Sequence, residues 1–239
     1  MGSSTPISAH ALADESSGRA RVSALTTLAW DLCASDLSRA ADCASEAYHL
    51  ALREDSADGL AQSLKVQSHI HLARNQHQAA LAAATQALTL FEQLGEAREQ
   101  AAMLELLGNV YRALSDYATA LSFYDQGVAL ARSNDDQSTV ASLLKNIGNI
   151  HTVLSDVKSA LTYYQESLAL LRAINDERNQ ASVLNNMGTI YRRLGDYPKA
   201  LECLQQSLVI KQAVRDDHGR ADVLNNLGLI YENMGMYSK

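Results

Sequence analysis

From Ala101 onward the apolar residues of this chain fall into two alternating stripes. Ala101, Leu104, Leu107, Gly108 and Tyr111 lie three and four apart, the spacing that places side chains on one side of an α-helix. After the polar break "LSDY" a second stripe follows: Tyr117, Ala120, Leu121 and Tyr124. The pattern predicts two helices joined by a short turn. It then returns at fixed intervals, with "LSDV" at 154–157 and "LGDY" at 194–197. Gly108, Gly148, Gly188 and Gly228 stand forty apart, as do Tyr111, His151, Tyr191 and Tyr231, and Ala120, Ala160 and Ala200. Towards the N-terminus Ser68, His71 and Ala80 keep the register, and Leu28, Asp31 and Ala40 keep it less closely. Self-similarity at one period is the mark of a repeat architecture. Five units are read near 21–60, 61–100, 101–140, 141–180 and 181–220, with a sixth cut short over 221–239.

The turns carry their own chemistry. Asp116, Asp156 and Asp196 stand where a carboxylate would cap the second helix of a unit, accepting from its free amides. Asp136, Asp176 and Asp216 recur as caps or turn residues for the next unit, and Pro198 falls in a first turn, where its missing N–H is tolerated. A mid-helix glycine costs about 1 kcal/mol against alanine, so four at one phase require a packing reason. Gly188 opposite Ala200, with Tyr191 filling the space one turn on, would allow a tight antiparallel pair. The expected class is all-α, a solenoid of antiparallel helix pairs over residues 19–239 as one domain, preceded by a disordered tail over residues 1–18.

Composition narrows the function classes. Net charge is −7, which disfavours a nucleic-acid backbone or an anionic membrane as partner. The acid is uneven: residues 1–120 carry 8 Lys and Arg against 14 Asp and Glu, residues 121–239 carry 12 against 13. Cys33, Cys43 and Cys203 form an odd set without metal-like spacing and read as reduced thiols of a cytoplasmic protein. No apolar run is long enough to span a bilayer. The start "MGSSTPISAH" lacks secretory order, and Pro6 occupies the position where a myristoylation site wants Ser or Thr.

The pattern Leu107-Gly108, Tyr111, Ala120, Tyr124, and again Met187-Gly188, Tyr191, Ala200, Leu204, resembles the tetratricopeptide repeat. The resemblance covers about residues 20–239 and is strongest from 101. Two departures stand out: the period is forty where the usual unit has about 34, implying longer helices, and Leu104, Leu144 and Leu184 occupy the tryptophan-type position. The family implies a right-handed superhelix whose first helices line a concave groove that binds peptides or other protein segments. Such a stack needs a polar cap at each end. The sixth unit offers none: Leu224, Leu227, Ile230 and Tyr231 would form an apolar stripe with no second helix over it. A fragment of a larger protein, or an end covered by another molecule such as a second copy, is expected.

First-helix residues outside the packing stripe are the groove candidates: Asn109 and Arg112; Lys145, Asn146 and Asn149; Asn185, Asn186, Arg192 and Arg193; Asn225 and Asn226. Asparagine is a poor helix-interior residue, yet Asn146, Asn186 and Asn226 recur at one phase. Either the amides hydrogen-bond an extended ligand or each ties its helix to the adjacent repeat; both readings stand at this point. The resemblance also suggests a carboxylate clamp. Lys145, Asn149 and Asn186 match its first three positions, whereas Asp222 and Asn226 stand where two basic residues belong, so the clamp is half present. Arg192 and Arg193 could receive an acidic side chain instead.

Catalysis has little support. His71 and His151 take the tyrosine position of their units, and His69 and His71, two apart, lie on different helix faces. No phosphate loop, His-Glu-x-x-His or Cys-x-x-Cys occurs; no catalytic or metal-binding residue and no cofactor is assigned. Trp30, the one tryptophan, suits an aberrant terminal unit, with an exposed partner anchor as the alternative. The sequence therefore points to a protein-interaction scaffold binding a peptide or helix. Its rivals are the regulatory arm of a larger signalling enzyme or transcription regulator, and a module that self-associates through its C-terminal end.

Overall fold

The computed structural model describes residues 18–235. The expected disordered tail thus lies outside the described residues, except for Gly18, which opens the first helix. Eleven helices and no strand are found among the described residues: α1 (Gly18–Leu32), α2 (Leu37–Arg53), α3 (Ala57–Ala73), α4 (His77–Leu94), α5 (Ala97–Ala113), α6 (Tyr117–Ser133), α7 (Gln137–Val153), α8 (Val157–Ala173), α9 (Glu177–Arg193), α10 (Tyr197–Ala213) and α11 (Asp217–Asn233).

The forty-residue period resolves into two halves of twenty. Helices from α2 on are 17 or 18 residues long, about 25 Å at 1.5 Å per residue, and a short link separates each from the next. From the link after α2 onward, one residue per link is left-handed, among them Ser115 (φ 61°), Asp135 (55°), Ser155 (62°), Asn175 (57°) and Gly195 (75°). That twist lets the following amide reach back across the helix end: Asp116 N donates to Tyr111 O at 2.9 Å, and Asp156 N to His151 O at 2.9 Å. The same aspartates then cap the next helix. Asp116 accepts from Thr119 N, Asp136 from Thr139 N, Asp156 from Ser159 N, Asp176 from Asn179 N, Asp196 from Lys199 N and Asp216 from Gly219 N, at 2.9–3.3 Å. Each link therefore ends one helix and starts another. Pro198 sits in the first turn of α10.

The described residues form two compact units, one ending at Leu130 and one beginning at Ala131. In the first, α1 pairs with α2 and α3 with α4, and α5 lies against α4 and the Tyr124 side of α6. Second helices contribute alanines (Ala40, Ala44, Ala47, Ala80, Ala84, Ala87, all fully buried) that let larger first-helix residues such as Val66, Ile70, Met103 and Leu107 approach closely. Burying each such large side chain contributes about 1.5–3 kcal/mol.

In the second unit α7 pairs with α8, α9 with α10, and α11 packs on α10. Ser167 and Ser207, both fully buried, donate to Ala141 O and Ala181 O at 2.7 Å and lock the second helix of each pair onto the first. The glycines have a more specific role than the sequence suggests. A Cβ on Gly148 would come within 2.7 Å of the Tyr164 ring; on Gly188 it would come within 2.7 Å of Leu204 and 3.3 Å of the Ala200 carbonyl. In the first unit Gly108 faces the ring of Tyr124 in the same way. The large residue one turn beyond the alanine fills the space. Gly228 meets nothing within 4 Å.

The expected apolar stripe on α11 is corrected in part. Leu227 (8% exposed) and Ile230 (0%) pack with Ala200, Leu204 and Val223, so only Leu224 (49%) and Tyr231 (40%) face outward. Three apolar positions of α11 are needed to dock it on α10, which the stripe read from sequence did not separate from its outer side.

Candidate functional site

In the second unit the polar first-helix residues are not a row of independent amides. Burial raises the Tyr164 phenol, which keeps it a neutral donor, and its hydroxyl donates to Asn149 Oδ1 at 2.7 Å. Asn186 Nδ2 of the next repeat donates to the same oxygen at 3.0 Å. Both acceptor sites of that carbonyl are thereby occupied. Thr152 Oγ1 donates to Gly148 O and lies 3.2 Å from the Tyr164 hydroxyl. One repeat on, Leu204 replaces the tyrosine and Thr189 replaces the asparagine, its hydroxyl turned to Asn185 O at 3.1 Å. Asn226 therefore finds a different acceptor, Asn185 Oδ1, at 3.0 Å. The result is a ladder across α7, α9 and α11 in which carbonyl oxygens join repeats. The amide nitrogens of Asn149 and Asn185 are not engaged in it.

The remaining candidates divide by exposure. Asn146 is buried; Lys145 Nζ reaches Asn179 Oδ1 at 3.4 Å; Arg193 and Asn225 are exposed. Arg192 is half-buried, and its Nε is enclosed without a partner among the described residues. In the first unit Arg112, at the same phase, lies close enough to the Tyr124 hydroxyl to influence it; Leu204 offers Arg192 no such group. Of the clamp-like set, Asn149 and Asn186 meet each other, and exposed Asp222 lies 3.8 Å from His218.

In the first unit Tyr124, its phenol pushed by burial up to about 12, donates to Asn109 Oδ1 at 2.8 Å. Tyr111 stacks on Phe123, with centroids 5.4 Å apart. In the second unit His151 stacks likewise on Tyr163 at 5.3 Å and lies 3.2 Å from Asp156, a packing role that accounts for an imidazole in a tyrosine position. Sequence reasoning missed the tyrosine hydroxyls as hubs of the network. A signal was there: Asn109 occurs with Tyr124 and Asn149 with Tyr164, whereas Thr189 occurs with Leu204.

Among the described residues no group of three or more His, Cys, Asp and Glu is placed to hold a metal ion, and no helix is long and apolar enough to cross a membrane. Cys33, Cys43 and Cys203 are free thiols, each raised chiefly by burial.

A family model described as "Tetratricopeptide repeat" matches residues 99–177 and 179–239. No curated protein matches the chain. Solved structures similar to it include BtubC from P. vanneervenii, at 22% identity over 84% of this chain and 85% of that one, TM-score 0.72. Aspartyl phosphate phosphatase F from Bacillus subtilis is 16% identical over 89% of this chain and 57% of its own, TM-score 0.78. A Rap protein in complex with Competence and Sporulation Factor is 16% identical over 95% and 67%, TM-score 0.79. At these identities the likeness is one of fold.

Proposed function

The chain belongs to the tetratricopeptide repeat family, and we propose that it is a non-catalytic, cytoplasmic interaction scaffold whose second unit holds an extended partner segment against the first-helix ladder. Repeats of this family generally mediate protein–protein interaction. One observation carries the finer reading: Asn149 and Asn185 use their side-chain oxygens as ties between repeats, leaving their NH₂ groups as donors. With Arg192 beside them, the face is rich in donors and suits the carbonyl or carboxylate oxygens of a chain in extended form. On this reading Asn186 and Asn226, whose nitrogens make the ties, hold their helices to the adjacent repeat, and Asn149 and Asn185 supply the donors to the ligand.

The test exploits that division. Asn→Asp keeps the tying oxygen and exchanges the donor for a negatively charged acceptor. Peptides selected from a random display library on the native protein should bind Asn149→Asp/Asn185→Asp at least about tenfold more weakly, about 1.4 kcal/mol. The melting temperature should stay within about 2 °C. Unchanged affinity for every selected peptide would remove the ladder from the binding face.

A further inference from the structure

We propose that the first unit carries a second binding site of different chemistry, centred on Trp30, for a basic partner segment bearing one bulky apolar side chain. The indole lies on α1 and is 46% exposed, although it is the chain's sole tryptophan. Two α3 side chains hold it in place. Lys65 Nζ stands 5.4 Å from the ring centroid, and the His69 ring lies 5.0 Å away, tilted by 40°. The lysine is itself fixed by Glu99 at 2.6 Å. Trp30 and Lys65 together line two pockets. One, of about 220 Å³, is completed by Thr26, Thr27, Gln62 and Val66. The other, of about 290 Å³, reaches α5, where Ala102, Met103 and Leu106 form an apolar floor and Glu105 and Asn109 a polar edge. The larger pocket thus spans the first helices of three repeats.

An exposed indole beside an apolar recess is the geometry of an interface anchor, because a docking side chain is desolvated against both at once. Charge selects the flank. Glu99 balances Lys65, while burial first and the nearby ammonium second push the His69 pKa down, so that the imidazole adds no positive charge at neutral pH. Arg112 is turned to Tyr124. Over residues 18–130 there are 8 Lys and Arg against 13 Asp and Glu, a field that attracts a cationic segment and repels an acidic one. The apolar floor would take the bulky side chain, and the basic neighbour would face this acidic surround. The site stands independently of the ladder in the second unit.

The sole tryptophan makes its own reporter. The probes are two capped pentapeptides, one alternating lysine with phenylalanine, the other glutamate with phenylalanine, titrated into the native protein. The lysine peptide should give a saturable blue shift of Trp30 emission, at least about tenfold tighter than the glutamate peptide. Ala102→Phe, which fills the larger pocket, and Thr27→Arg, which adds positive charge at the smaller, should each weaken the lysine peptide about tenfold. Asn149→Asp/Asn185→Asp should leave it unchanged. No shift up to millimolar lysine peptide, an equal response to the glutamate peptide, or full affinity in both first-unit variants would overturn the assignment.

Discussion

The fourth and fifth repeats share a helix-pair backbone and the same glycine and alanine phases, yet they solve one problem differently. In the fourth, Gly148 admits the Tyr164 ring, whose hydroxyl meets Asn149, and Asn186 closes the junction on the same oxygen. In the fifth, Gly188 admits Leu204; the hydroxyl is gone, asparagine gives way to Thr189, and Asn226 turns to Asn185. Arg192 has an enclosed Nε without a partner among the described residues. With the acceptor asparagine replaced by Thr189 and the tyrosine by Leu204, the hydrogen bond from the next repeat is thus re-aimed.

The largest consequence of this comparison is steric. Gly148→Leu would drive a side chain into the Tyr164 ring and should cost about 3 kcal/mol, read as a shift in urea midpoint. At Gly228, with nothing within 4 Å, Gly→Ala should instead gain up to about 1 kcal/mol from helix propensity. Equal effects at the two sites would mean that the glycine positions are not set by the second helix.

A smaller effect should follow pH. Hydrogen bonds from Ser159, Lys199 and Lys211 hold the carboxyls of Asp156, Asp196 and Asp216 below their ordinary range. A carboxylate depressed in the folded state contributes stability above its unfolded value, near about pH 4, and loses it as pH falls through the depressed one. Asp216→Asn should therefore flatten the loss of stability below about pH 4. An unaltered slope would show that this cap carries no proton linkage.

Much of this was legible in the sequence, for a physical reason. Repeats must dock alike, so the two stripes, the six capping aspartates and the first-turn Pro198 recur in plain sight. The outer and inner sides of α11 were not separable, because Leu224, Leu227, Ile230 and Tyr231 share helical spacing and only packing against Leu204 and Ala200 distinguishes them. The network was half legible. Tyr124 reads as a packing residue, and Tyr164 stands at the same phase one period on, because a periodic stripe reports the ring and says nothing of the hydroxyl. Their pairing with Asn109 and Asn149, and the joint switch to Leu204 and Thr189, lay fifteen residues apart, beyond any helical stripe. Trp30 could not be placed from sequence either, since its setting is made by Lys65, His69 and Met103 from two other helices.

The central claim is that Asn149 joins two repeats through its side-chain oxygen, and a double-mutant cycle in equilibrium unfolding tests it most directly. Asn149→Ala, Asn186→Ala and the double variant should show a coupling of about 1 kcal/mol, so that the second substitution costs much less once the first is made. Strictly additive losses would contradict the account and leave the two asparagines as separate surface residues.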